Sequence, residues 1–181
     1  MKNYRDNPLL KTYVDELLKW NKKINLIGKE TEAEVWERHI EDSLRLADFI
    51  ADTDVSTIVD IGSGGGLPAI PLAVTLPDKR FVLTDVADKK LAFLEWIIGR
   101  LKLNASAYKV SDEFVISERC IITARAFSSV KNILQWRKKH CPNATKFFLL
   151  KGKEENSKEE MSEAGVSGEI VKLPRGTLII I

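Results

Sequence analysis

The run Ile58-Val59-Asp60-Ile61-Gly62-Ser63-Gly64-Gly65-Gly66 constrains the fold of this chain more than any other part of it. An apolar stretch of strand character carries one acid, Asp60. It then breaks into a loop with four glycines, followed by Leu67-Pro68 and a helix-like stretch. Glycine lets the backbone turn sharply and lets a ligand approach the main chain, and the helix beyond points its free N–H groups at whatever is bound. A strand, a glycine loop and a helix in that order open an α/β sheet that takes a nucleotide-type ligand at the carboxyl ends of its strands.

Asp60 and Leu67 narrow the choice of ligand. A dinucleotide site holds a pyrophosphate at the loop, and a carboxylate beside it would repel that anion. The dinucleotide spacing GxGxxG also needs glycine at 67, where this chain has Leu67. S-adenosylmethionine (SAM) has no phosphate, and its methionine end carries an ammonium and a sulfonium that a carboxylate attracts. A second acid, Asp85, follows Phe81-Val82-Leu83, where it suits ribose hydroxyls; both kinds of site use such an acid, so it does not discriminate. The bland alternative is a strand-turn-helix junction with Asp60 as a turn former.

Strand-like runs recur at 57–61, 80–84, 105–109, 119–124, 145–150, 168–172 and 177–181, with helical stretches at 69–75, 88–103 and 129–139. This alternation predicts an α/β fold with a mostly parallel, seven-stranded sheet flanked by helices. No full helix separates the last two runs, which suits an antiparallel hairpin at the sheet edge, as in Rossmann-like class I methyltransferases. Before the first strand the chain reads as helical. One amphipathic helix covers 8–20, with Leu10, Val14, Leu17 and Leu18 as its stripe. A second covers 31–50, with Thr31 as N-cap, Glu34 closing a capping box, and Trp36, Ile40, Leu44 and Phe49 as its stripe. The division expected is an N-terminal helical appendage over 1–54 and a SAM-binding methyltransferase core over 55–181.

At 181 residues and 44% apolar the chain supports one core and an appendage. No apolar run approaches the roughly 20 residues that span a bilayer, and the first residues lack the apolar centre of a signal peptide. Cys120 and Cys141 show neither CxxC nor zinc spacing, so no metal is expected, and they read as fillers in a reducing, cytoplasmic protein. The expected assembly is a monomer. Net charge is only +2, but nine basic and no acidic residues lie between Arg119 and Lys153, a candidate footprint for a polyanion. Scattered lysines on a solvated helix face would read the same way.

The strand ends suggest roles. The backbone of Gly62 to Leu67, with Gly64 at its centre, would hold the methionine half of SAM beside Asp60. Asp85 would take the ribose, and Ser111 and Asp112 would reach the adenine edge, whose amino group is a donor. The fourth strand ends in Thr123-Ala124-Arg125-Ala126-Phe127-Ser128. That segment lacks the Asn/Asp-Pro-Pro-aromatic motif of enzymes that methylate exocyclic amines, and no cysteine stands there for carbon-5 pyrimidine chemistry. Guanine N7, with a lone pair and no hydrogen, fits an acceptor that needs only alignment and electrostatics. Arg125 could meet the cofactor carboxylate, guanine O6 or a phosphate, or form a structural ion pair. His39, with Asp42 nearby, reads better as a packing histidine than as a catalytic one. A methyltransferase acting on a metabolite, with Trp20, Trp36 and Phe127 around a closed pocket, and a non-catalytic assembly factor remain open on these residues.

Several blocks together resemble the RsmG (GidB) family of small bacterial ribosomal RNA methyltransferases. They are Leu18-x-Trp20-Asn21-x-x-Ile24-Asn25-Leu26, Arg38-His39-Ile40-x-Asp42-Ser43-Leu44, the segment from Asp60 to Leu72, Ala124-Arg125-Ala126-Phe127-Ser128 and Leu150-Lys151-Gly152. The resemblance runs from about residue 9 to the C-terminus. It implies SAM-dependent N7 methylation of a guanosine in the 530 loop of 16S rRNA, with naked rRNA or the 30S subunit as partner. Carried over by motif, the cofactor contacts are Gly62, Leu67, Ser111, Asp112 and Arg125, with Asp85 matching less tightly, and Arg125 is the expected catalytic residue. Ala69 stands where the family commonly has glycine.

Overall fold

The structure, a computed structural model, describes residues 4–181. Seven strands form one sheet: β1 (Thr57–Ile61), β2 (Arg80–Asp85), β3 (Ala105–Lys109), β4 (Cys120–Arg125), β5 (Ala144–Lys151), β6 (Glu169–Leu173) and β7 (Gly176–Ile180). Their spatial order is β3-β2-β1-β4-β5-β7-β6. The first five pair in parallel, and β7 runs antiparallel to both β5 and β6. Every residue of β1 is buried, as expected for a central strand covered on both faces. The strand order reverses between β1 and β4, so the crevice at their carboxyl ends lies at the switch point of the sheet.

Seven α-helices lie among the described residues: α1 (Pro8–Asn21), α2 (Asp42–Leu44), α3 (Ala47–Ala51), α4 (Ala69–Thr75), α5 (Asp88–Leu101), α6 (Val130–His140) and α7 (Glu154–Ala164). On one face of the sheet Leu10, Leu17, Ile40 and Ile50 share a core with Ile70, Phe81, Phe93 and Phe148. The other face packs Val59, Ile122 and Leu149 against Val130, Ile133 and Met161. Cys120 and Cys141 are free and buried in that second cluster. No helix among the described residues is long and apolar enough to cross a membrane.

Two expectations need correction. The single helix over 31–50 is instead a 3-10 turn at Lys29–Glu34, a π-helical turn at Trp36–Glu41, and then α2 and α3. Thr31 lies inside the 3-10 turn, where its hydroxyl donates to Gly28 O at 2.7 Å, so it caps no helix, and Glu34 pairs with Arg38. The wider π turn inserts an extra residue and shifts the apolar stripe. Leu46 and Ile50 are fully buried beyond it, and Phe49 is left exposed. The second correction is α7, absent from the sequence reading. Only Ser157 and Met161 of its residues are buried, too few to print a stripe.

Candidate active site

The loop after β1 is held from three sides. Gly62, Gly64 and Gly66 have φ of 65°, 55° and 86°, a region that side chains rarely adopt. At Gly66 a Cβ would also come within 2.4 Å of Ile70, so the loop and α4 pack only because no side chain is there. Ser63 N donates to Thr84 O at 2.8 Å, its hydroxyl donates to Asp60 O at 3.1 Å, and it accepts Thr84 N at 3.1 Å. Gly64 N donates to Asp85 Oδ2 at 3.0 Å. From the opposite side the fully buried Tyr13 of α1 donates its hydroxyl to Gly65 O at 2.6 Å.

Asp85 therefore has a structural duty as well as its place at the end of β2. Its Oδ1 accepts Val86 N at 2.8 Å and Ala87 N at 3.0 Å, in addition to the Gly64 bond on Oδ2. A carboxylate has about four acceptor sites, so one remains for a ligand hydroxyl while the loop holds this shape.

Asp60 is fully buried at the end of β1. Its Oδ1 accepts the Thr123 hydroxyl at 2.7 Å, and its Oδ2 is buried with no partner. Burial pushes its pKa up to about 7; the hydroxyls of Ser63 and Thr123 oppose that, and the Asp85 charge adds to it. A buried carboxyl with an unpartnered oxygen beneath a glycine loop can receive a cation.

Arg125 ends β4 facing the 36–44 segment. One guanidinium nitrogen, Nη2, donates to Arg38 O at 2.9 Å, and Nη1 is buried without a partner. Burial lowers its pKa, opposed by the charge of the buried Asp42 and by Tyr13. A cleft of about 460 Å³ opens beside it, lined among others by Asp42, Phe127, Ser128, Lys151 and Arg175. Lys151 is neutralised there by Glu160 at 2.7 Å and also donates to Ser128 O.

His39 does not pair with Asp42. Its Nε2 meets the Thr31 hydroxyl at 2.8 Å, and burial, with Arg125 and Arg38 behind it, lowers its pKa to about 4. Its Nδ1 is buried with no partner.

The structure brings Asp60, Gly62, Gly64, Leu67 and Asp85 together around the loop, with Arg125 at the neighbouring strand end. Asp112 stands three residues beyond the end of β3. The Asp112 side chain is 94% exposed and pairs with Lys139, in the last turn of α6, at 2.5 Å. Ser111 is likewise exposed. Sequence reasoning missed Tyr13 and Thr123, which fix the loop and the acid, and Arg175 on the cleft. Tyr13 had a signal, because it sits between Leu10 and Leu17 on the buried face of α1. Thr123 and Arg175 had none.

The basic segment is also less uniform than its sequence. Arg119 pairs with Asp54, Lys139 with Asp112 and Lys151 with Glu160. Among the described residues Lys131, Lys138, Lys146 and Lys153 form no ion pair within 4 Å.

A family model for rRNA small subunit methyltransferase G matches residues 6–173. The chain belongs to this family. A ribosomal RNA small subunit methyltransferase G of Brachyspira hyodysenteriae is 37% identical over 155 residues, 85% of this chain and 75% of the relative. Another, of Magnetococcus marinus, is 33% identical over 183 aligned residues, 93% of this chain and 81% of that protein. Solved structures similar in fold include a putative S-adenosyl-L-methionine-dependent methyltransferase of Methanococcus maripaludis (TM-score 0.63, 16% identity, 94% of this chain and 92% of that one). An O-methyltransferase of Bacillus cereus in complex with SAH also matches (TM-score 0.64, 13% identity, 93% and 90% coverage). At such identities the likeness establishes the fold, that of a class I methyltransferase, and membership of the rRNA methyltransferase family rests on the sequence relatives.

Proposed function

We propose that this family member transfers a methyl group from SAM to N7 of a guanosine in the 530 loop of 16S rRNA. The observation that carries the site assignment is the open, buried Oδ2 of Asp60 under the glycine loop, with the open Nη1 of Arg125 at the adjoining strand end. One orphan acceptor and one orphan donor match the two charged groups of an amino acid, the ammonium and the carboxylate. The residues therefore fit SAM, which supplies, when bound, an electrophilic methyl on a sulfonium. In this reading Asp60 and the backbone of Gly62, Gly64 and Leu67 hold the methionine half. Asp85 takes one ribose hydroxyl with its remaining acceptor site, and Ser111 and Asp112 close on the adenine edge, Asp112 leaving Lys139 to do so.

Guanine N7 has an in-plane lone pair and no hydrogen, so the new bond forms without a base. The reading asks no general base of the cleft, where Lys151 is paired with Glu160 and Asp42 with Arg45. The chain contributes alignment and field, and Arg125 is the residue assigned to both. The protein acts as a monomer in the cytoplasm, with residues 1–54 as an appendage that closes the cofactor side through Tyr13. The deciding experiment is methyl transfer from labelled SAM to 30S subunits lacking their native methylation, with deproteinised 16S rRNA in parallel. Reduction and aniline cleavage would then map the product. One cleavage in the 530 loop is expected. Transfer to neither substrate by a chain that binds SAM would refute the reading.

A further inference from the structure

Phe127 is placed where the methyl donor and the acceptor must meet. β4 ends at Arg125, and Ala126 then takes φ of 50°, a left-handed turn that costs a residue with a Cβ. The turn lays the Phe127 ring on Gly62: a Cβ at Gly62 would stand 2.3 Å from Cδ2 and 3.0 Å from Cε2 of that ring. The ring is nevertheless 42% exposed and lines the cleft with Ser128, Lys151 and Arg175. This ring has one side on the cofactor loop and the other open to the cleft.

We propose that the exposed face of Phe127 is the surface on which the acceptor base stacks. The inference rests on the reading of the protein as an RNA methyltransferase and adds to it the residue that positions the base. An acceptor base turned out of its own stack loses that stacking, and an aromatic face replaces it. It also fixes the plane of the base, and with it the direction of the in-plane N7 lone pair. Because the ring is packed against Gly62, that plane is set relative to the loop itself. Gly62 is thus required twice, for its backbone angle and for the ring it admits. Among the cations lining the cleft beside the ring, which Asp42 and Glu160 share, Arg175 suits a phosphate of the backbone flanking the base. Lys151 is committed to Glu160, and Arg175 forms no ion pair among the described residues.

The test is a comparison of Phe127→Leu and Phe127→Trp with the wild type, with 30S subunits lacking the native methylation as substrate. SAM affinity is measured separately by calorimetry, which also shows that each variant is folded. With SAM saturating, Phe127→Leu should lower kcat/KM for the subunit by ~5- to 150-fold, the range of one base–aromatic stack. Its SAM dissociation constant should change by less than about threefold, and Phe127→Trp should keep most of the activity. Unchanged kcat/KM in the leucine variant would overturn the proposal. So would a loss that disappears at saturating SAM, because Phe127 would then only seal the cofactor loop. Equal loss in the leucine and tryptophan variants would overturn it as well, since packing against Gly62 would then be the whole role. Failure of the wild type itself to methylate subunits, while binding SAM, would instead sink the functional reading, and this inference with it.

Discussion

Asp60 is the residue at which fold stability and ligand binding oppose one another. Its folded pKa of about 7 stands above the ordinary 3.8, so between those values the native state holds a proton that the unfolded chain has released. The associated stability is fully present below pH 3.8 and is lost as pH rises through 7. Three units at about 1.4 kcal/mol each put that loss on the order of 4 kcal/mol. Asn at this position keeps an acceptor for Thr123 and removes the buried charge. Asp60→Asn should therefore stabilise the ligand-free protein above neutral pH, by up to a few kcal/mol in urea unfolding. The same change should weaken SAM binding. A bound ammonium favours the ionised acid, so wild-type affinity should rise with pH up to about 7 and then level off. Calorimetric titrations of both proteins from about pH 5.5 to about pH 8.5 would check this. A wild-type affinity with the same pH profile as the asparagine variant would remove Asp60 from the cation site.

At the scale of elements, the site depends on contacts that N-terminal segments make with the sheet. α1 reaches the glycine loop through Tyr13, and the π turn reaches β4 through the Arg38 carbonyl and Arg125. Tyr13→Phe keeps the packing and leaves Gly65 O buried without a donor, a loss of about 1–3 kcal/mol. It should lower the urea midpoint accordingly and raise the KM for SAM, because the loop is then held only by Ser63 and Asp85. An unaltered midpoint would mean that the carbonyl finds another donor. Arg125→Ala should cut turnover by at least about tenfold with the fold intact, and Arg125→Lys should not restore it, since an ammonium cannot meet both Arg38 O and a carboxylate in one plane. Steady-state kinetics matching the wild type would exclude Arg125 from the site. These contacts also mark how far the sequence was legible. The glycine loop, Asp60 and the βα alternation are local patterns, and the structure has them at the expected residues. The π turn was not legible, because a one-residue widening leaves apolar spacing that still reads as helix. Nor were the Tyr13–Gly65 and Thr123–Asp60 bonds, which join residues 52 and 63 positions apart. The pairing of Asp112 with Lys139, 27 residues away, was equally out of reach of local pattern.

Across the whole molecule, folding redistributes the charge that looked continuous in the chain. Of the basic run from Arg119 to Lys153, Arg119, Lys139 and Lys151 are neutralised by acids from elsewhere. The cations near the cleft come from two distant parts of the sequence. Lys153 is the N-cap of α7, and Lys172 and Arg175 belong to the β6–β7 hairpin, whose tip lies at the end of β5. Glu154 lies beside them but pairs with Lys158, and Glu155 offsets part of the charge. The hairpin is fixed there by Gly176, with φ of 133°, where a Cβ would stand 2.3 Å from Lys151 O. If RNA follows this rim to reach the cleft, each of the three cations lost should reduce the salt dependence of binding by about one counterion. The slope of log affinity against log salt should therefore become shallower by roughly 1 for each of Lys153→Gln, Lys172→Gln and Arg175→Gln. Arg119→Gln, which breaks a pair with Asp54 far along the chain, should leave the slope alone. Filter binding to 16S rRNA over a salt series distinguishes the two groups. Equal slopes in all four variants would place the RNA elsewhere, and the unpaired Lys131 and Lys138 of α6 would become the surface to test.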